Sequence, residues 1–161
     1  MAIQVVDNYL DKNYFSYLQK LIMGDEIPWF YNNSVSENND DDFYFTHCFY
    51  REYTGPSKGF EILNQLLKKL KYKKLIRIKA NLYTSTEKSK KHRYHIDNDF
   101  KHKGLLLYFN TNNGYNYFKE KKIKKVKPIE NRVVFFDPSI EHCSSTCTDQ
   151  NRRLTLNINY E

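Results

Sequence analysis

Two side chains able to share one metal ion stand two residues apart at His95-Ile96-Asp97. In an extended segment alternate side chains point to one face, so the imidazole and the carboxylate would project together while Ile96 points away. With 5 His in 161 residues, the composition yields about 0.3 such triplets by chance, so the triplet alone is weak. It has company. After 44 intervening residues comes His142, and eleven residues beyond that stands Arg153, each at the head of a segment that reads as a strand. Two imidazoles and one carboxylate form a donor set suited to Fe(II), with three metal positions left open.

The arginine completes a second requirement. A 2-oxoglutarate molecule on such a metal would use its 1-carboxylate and 2-keto oxygen, leaving the third open position for O₂. Its far carboxylate would still need a cation, and a guanidinium offers two parallel hydrogen bonds in a fixed plane. Arg152 is the rival of Arg153. Alternation places Arg153, Thr155 and Asn157 on one face and Arg152 on the other, so only one of the two reaches a common pocket.

Elements must hold these residues together. From Asp11 the periodicity is helical, with Tyr14, Phe15, Leu18, Leu21 and Ile22 on one face and Gly24 as the stop. A second helix is expected over 57–71, capped by Ser57, with Phe60, Leu63, Leu66, Leu67 and Leu70 on its apolar side. Short strands are expected at 5–6, 29–31 and 43–49, and the acidic run 37–42 reads as a loop. From 75 to 160 nearly every segment reads as a strand: 75–83, 93–97, 105–110, 115–118, 123–126, 133–136, 141–145 and 154–160. Asn112-Asn113-Gly114 has the chemistry of a tight hairpin turn. About eight short strands at intervals near ten residues make a sandwich or barrel, with two helices covering one outer face.

Composition narrows the classes. A chain of 161 residues, 40% hydrophobic and 28% charged, has the make-up of one folded domain rather than a disordered one. No run approaches 18 apolar residues and the first ten lack a secretory core, so a soluble cytoplasmic protein without membrane contact is expected. Three cysteines (Cys48, Cys143, Cys147) make no disulfide framework, and Cys143 reads as packing. The net charge of +7 would suit a polyanion, though lysine is abundant throughout and no interleaved aromatic-basic motif stands out along the chain. His47, His92 and His102 read as surface or structural residues.

From residue 77 to 160 the sequence resembles the Fe(II)/2-oxoglutarate-dependent oxygenases. Within them it is most similar to the prolyl-hydroxylase-like branch and its compact bacteriophage members. The matching stretches are Asn81-Leu82-Tyr83, His95-Ile96-Asp97, Tyr108-Phe109-Asn110, Asn112-Asn113-Gly114-Tyr115, the run Asn131-Arg132-Val133-Val134-Phe135-Phe136-Asp137, His142, Thr146-Cys147-Thr148-Asp149 and the final strand from Arg153 to Tyr160. The resemblance is loose over the first seventy residues. The loop 84–91 departs from the family pattern: it lacks the family's glycine and is rich in lysine.

The resemblance implies a mainly β fold, a double-stranded β-helix (jelly-roll) barrel with the two N-terminal helices packed on one outer face. It implies a single oxygenase domain over 1–161, in which 1–73 supports a jelly-roll core at 74–161. It makes His95, Asp97 and His142 the iron ligands and Arg153 the partner of the distal carboxylate of 2-oxoglutarate. Tyr108 would bind that same carboxylate and Tyr83 would lie near the co-substrate. The implied cofactors are Fe(II), 2-oxoglutarate and O₂. The implied reaction is hydroxylation of a peptidyl proline-like or small-molecule substrate, with release of succinate and CO₂, in the host cytoplasm if the chain is phage-encoded. The alternative from another class is a non-enzymatic basic jelly-roll domain that binds nucleic acid or a protein partner. A cupin-like metal protein without 2-oxoglutarate would tolerate Arg153→Ala.

Overall fold

The final strand organises the molecule. Arg152–Tyr160 (β11) is buried from its second residue to its last and alternates strictly, with Leu154, Leu156 and Ile158 on one face. Arg153, Thr155, Asn157 and Asn159 lie on the other face and are equally buried. A row of buried polar side chains on a central strand demands partners or a ligand, because each would otherwise lose its hydration for nothing.

The computed structural model of the chain describes residues 2–36 and 42–161. Its larger sheet has eight strands. Seven run in the order Gln4–Val6 (β1), Val133–Phe136 (β9), Lys103–Tyr108 (β6), β11, Leu75–Thr84 (β5), Tyr44–Arg51 (β3) and Phe30–Asn32 (β2), and Gly55–Pro56 (β4) pairs beside β3. A second sheet of three strands runs His142–Ser144 (β10), Asn116–Lys119 (β7), Ile123–Val126 (β8). All pairings in both are antiparallel. The architecture is mainly β, as expected, but among the described residues the two sheets stay open rather than closing into a barrel. The segment 1–73 also contributes strands β1 to β4 to the same large sheet as β5, β6 and β11.

Helix α1 (Lys12–Met23) starts where Asp11 caps it, its carboxylate accepting from the backbone of Asn13 at 2.9 Å and Tyr14 at 3.2 Å. The second helix is shorter than expected. Gly59 sits at φ 88°, a left-handed geometry that breaks any helix running on from Ser57. A 3₁₀ turn at Phe60–Leu63 follows, then α2 (Asn64–Leu70). Tyr14, Leu18 and Ile22 of α1 and Leu63, Leu66 and Leu67 near α2 join Ile78, Leu105, Leu107, Leu156 and Ile158 in one apolar cluster. That cluster uses one face of the large sheet and leaves the other for chemistry.

Two further expectations change. Segment 93–97 forms no strand, only an isolated bridge between His95 and His142 beside another between Lys91 and Ser145. Asn112-Asn113-Gly114 is no hairpin turn, since β6 and β7 belong to different sheets and the stretch carries the chain between them. The acidic run lies outside the described residues apart from Asp42, which pairs with Lys90 at 2.6 Å. No described helix is long and apolar enough to cross a membrane.

Candidate metal centre

The polar face of the large sheet and the inner face of the small one meet over a shared cavity. Register fixes the first wall: Arg153 lies opposite Tyr83, Thr155 opposite Asn81 and Asn157 opposite Lys79 on β5, while Thr155 faces Tyr108 on β6. On the small sheet His142 pairs with Phe118 and Ser144 with Asn116, all directed inward. The cavity between them is lined by His95, Asp97, His142, Arg153, Tyr83 and Asn116, among others.

One ligand atom each from His95, Asp97 and His142 lies within 4.8 Å of the others. His95 reaches this point through its backbone, which exchanges two 2.9 Å hydrogen bonds with His142, so the rings stand 4.7 Å apart. Asp97 comes in from the next turn, where its N–H donates to the carbonyl of Pro138 at 3.0 Å. The pair therefore converges without the regular strand that its spacing predicts.

Each of the three groups is prepared to donate a lone pair. His142 Nδ1 bonds to the carbonyl of Ile140 at 2.9 Å, which places the proton there and leaves Nε2 facing the cavity. Burial, reinforced by the adjacent His142, lowers His95 to about 4, so its ring is neutral at pH 7. Burial opposes ionisation of Asp97, yet the Arg77 guanidinium, then His142, Asn157 and His95, outweigh it and hold the carboxyl well below its usual range. Arg77 donates to one carboxylate oxygen at 2.9 Å, and the amides of Asn157 and Asn159 donate to the other at 3.0 and 3.1 Å. The neutral imidazole of His95, the imidazole of His142 with its Nδ1 engaged, and one ionised carboxylate are a donor set that fits a divalent iron ion.

Deeper in the cavity lies Arg153, with no exposed surface. Its Nη2 donates to Asn116 Oδ1, which also accepts from the Tyr108 hydroxyl at 2.9 Å. Its Nε and Nη1 are buried with no partner, and among the described residues no carboxylate lies within 4 Å of it. Tyr83 and Tyr108 flank the guanidinium, with ring centroids 5.3 and 5.8 Å from its carbon. Burial pushes the Tyr83 phenol up to about 12 and Tyr108 higher still, so both are neutral hydroxyl donors. Arg152, on the opposite face, donates to the carbonyl of Met23 at the end of α1.

Several participants escaped the sequence reading. Asn116 joins Tyr108 to Arg153, and Arg77, Asn157 and Asn159 hold Asp97. Lys79 lines the same wall, donating to the Tyr44 hydroxyl at 3.0 Å, and burial lowers it to about 8. Only alternation along β11 pointed to Asn157, because the rest depends on register between strands. His47, His92 and His102 are all buried, and His92 stacks on Tyr83 at 5.1 Å and bonds Ser144 Oγ at 2.8 Å. Cys143 is buried, and burial raises its thiol to about 11, so it stays neutral.

No protein-family model matches the sequence, and no curated protein matches it. Solved structures do. An oxidoreductase of the 2OG-Fe(II) oxygenase family from Burkholderia pseudomallei superposes with a TM-score of 0.77 at 12% identity, covering 99% of this chain and 84% of that one. A prolyl hydroxylase from Trichoplax adhaerens, in complex with a hypoxia inducible factor oxygen degradation domain peptide, gives 0.67 at 15% identity over 98% and 82%. The viral collagen prolyl hydroxylase of Paramecium Bursaria Chlorella virus-1, in its 2OG complex, gives 0.62 at 13% over 99% and 95%. The fold is therefore that of the 2OG-Fe(II) oxygenases.

Proposed function

We propose that this chain is an Fe(II)- and 2-oxoglutarate-dependent dioxygenase whose most natural outcome is hydroxylation, with succinate and CO₂ as co-products. The observation that carries the reading is the meeting, in one cavity, of three convergent metal-ligand atoms and a fully buried guanidinium with two unpartnered nitrogens and, among the described residues, no carboxylate within 4 Å of it. Burying an unpaired cation costs several kcal/mol, on the order expected where an anionic ligand completes the site.

His95, Asp97 and His142 would hold the iron, which when bound supplies activation of O₂. The chain's own residues do the rest. Arg77, Asn157 and Asn159 fix the carboxylate of Asp97, and Ile140 fixes the tautomer of His142. Arg153, whose Nε and Nη1 have no partner in the protein, offers its guanidinium to the distal carboxylate of 2-oxoglutarate, with the Tyr108 and Tyr83 rings beside it. Asn116 keeps the guanidinium from rotating away. Phe118 and Phe136 line the apolar side of the cavity. For the primary substrate we favour a peptidyl proline or a small molecule, supported by the prolyl hydroxylases among the structural neighbours.

Gly114 belongs to this machinery sterically. A Cβ there would come within 2.8 Å of Arg153 Cδ and 3.1 Å of the Thr146 carbonyl. Gly114→Ala is therefore expected to displace the guanidinium and weaken 2-oxoglutarate binding by about tenfold or more, as small misplacements do. Titration of 2-oxoglutarate into the iron-loaded variant measures it.

The decisive test is anaerobic. Adding Fe(II) and then 2-oxoglutarate is expected to produce a visible charge-transfer band that is absent in His142→Ala. Iron binding without the band would leave a metal-binding jelly roll and remove Arg153 from its role. Failure of both would end the oxygenase reading.

A further inference from the structure

The chain's positive charge is concentrated in two segments that border the small sheet, although Lys124 lies opposite the inward Phe118 and donates to the Ile3 carbonyl at 2.9 Å. Residues 115–127 hold six lysines against one glutamate, and 86–95 hold three lysines and one arginine against one glutamate. These ten cations and two acids leave the rest of the chain with sixteen cations and seventeen acids, close to neutral. The two segments adjoin, because Lys91 bridges to Ser145 beside the small sheet.

The same surface carries half-buried aromatic rings between the cations. In β7 the residues Asn116 and Phe118 turn inward, so Tyr117 and Lys119 turn outward, and register sets Lys125 of β8 opposite Tyr117. Tyr94 and Tyr115 flank them. The Lys91 ammonium lies 4.4 Å from the Tyr94 ring and 4.4 Å from the Tyr117 ring. Lys119 is 4.3 Å from Tyr94, and Lys125 is 3.6 Å from Tyr115. Two cations are already neutralised, Lys119 by Glu141 and Lys90 by Asp42. Among the described residues, Lys91, Lys121, Lys122, Lys125 and Lys127 have no carboxylate within 4 Å.

We propose that this outer face of the small sheet binds single-stranded nucleic acid without sequence preference, independently of the metal centre behind it. Phosphates draw the lysine ammonium groups off the rings, and the exposed faces of Tyr94, Tyr115 and Tyr117 accept stacked bases. A duplex buries its base faces and offers the rings nothing to stack on. An anionic bilayer would need an apolar side to insert, and Ile123 is the lone exposed large aliphatic residue that β7, β8 and β10 offer among the described residues. The linear sequence hides the pattern because Tyr94 and Lys91 come from a segment more than twenty residues before β7.

The test is fluorescence anisotropy with the full chain and a labelled oligothymidylate, repeated across salt concentrations. Binding is expected to weaken steeply with salt, by about tenfold or more between 50 and 200 mM for four or more neutralised phosphates. Tyr115→Ala/Tyr117→Ala is expected to lose at least about fivefold at fixed salt, the lower end of one stacked base. Lys122→Gln/Lys125→Gln, at exposed positions that leave the core untouched, is expected to flatten the salt slope and covers the case in which the tyrosine variant unfolds. Absence of binding at low salt overturns the proposal. So does equal affinity for a duplex of the same length, or retention by phosphatidylserine vesicles with no oligothymidylate binding.

Discussion

Replacing Asp97 by Asn is expected to leave a folded protein that has lost all 2-oxoglutarate turnover. The side chain keeps its size and its place between Arg77 and the Asn157 and Asn159 amides, so the packing around it survives. What disappears is the anionic charge that makes the site a donor set for a divalent ion rather than a pair of imidazoles. The cost to stability is about 1–3 kcal/mol, since the amide has one acceptor oxygen where the carboxylate had two. It can accept from Arg77 or from Asn157 and Asn159, and the other side is met by a donor unless those amides turn over. Thermal unfolding and succinate release, measured on the same sample, separate the two effects. A variant that melts within a few degrees of the parent yet retains turnover would remove Asp97 from the metal site. Arg77→Gln provides the graded comparison. It deletes one of the three donors to that carboxylate and is expected to lower iron affinity by about tenfold to a hundredfold, the usual range for a group that orients a ligand.

How much of this could be read before the structure depends on whether a residue's partner is local. The alternation of β11 was plain, because Leu154, Leu156 and Ile158 interleave with residues that have no place in an apolar core. Helix α1 was equally plain, from its cap at Asp11 to its stop at Gly24. The convergence of His95 and Asp97 was anticipated on the wrong ground. No strand alternates there, and the single bridge to His142 does the positioning. The second helix was overextended, since Gly59 adopts a conformation that periodicity does not register. Asn112-Asn113-Gly114 has residues that suit a turn, while its glycine is required for close approach to Arg153. Asn116, Arg77 and Lys79 were missed for one reason. Each acts across 20 to 37 residues of sequence on a partner that only strand register or sheet facing brings near.

Arg153→Met is expected to separate function from stability more sharply than any other change, because the two should move in opposite directions. Without ligand, the guanidinium is buried with one hydrogen bond to Asn116, two unpartnered nitrogens and, among the described residues, no carboxylate within 4 Å. An unbranched apolar side chain of similar length removes that burden, so the ligand-free variant should be as stable as the parent or more stable, by up to a few kcal/mol. With 2-oxoglutarate at about 100 times the parent's dissociation constant, the parent gains about 2.7 kcal/mol from binding, and the variant should gain nothing. Lysine in place of arginine keeps the charge but not the planar fork, so Arg153→Lys should retain weakened binding rather than none. The control is Arg152→Met, whose side chain holds the end of α1 from the other face of the strand and should leave 2-oxoglutarate stabilisation intact. A ligand-induced shift in unfolding that survives in Arg153→Met and vanishes in Arg152→Met would reverse the assignment of the pair. The expected pattern is a strained cation tolerated in the free protein because its neutralisation is what binding the co-substrate means.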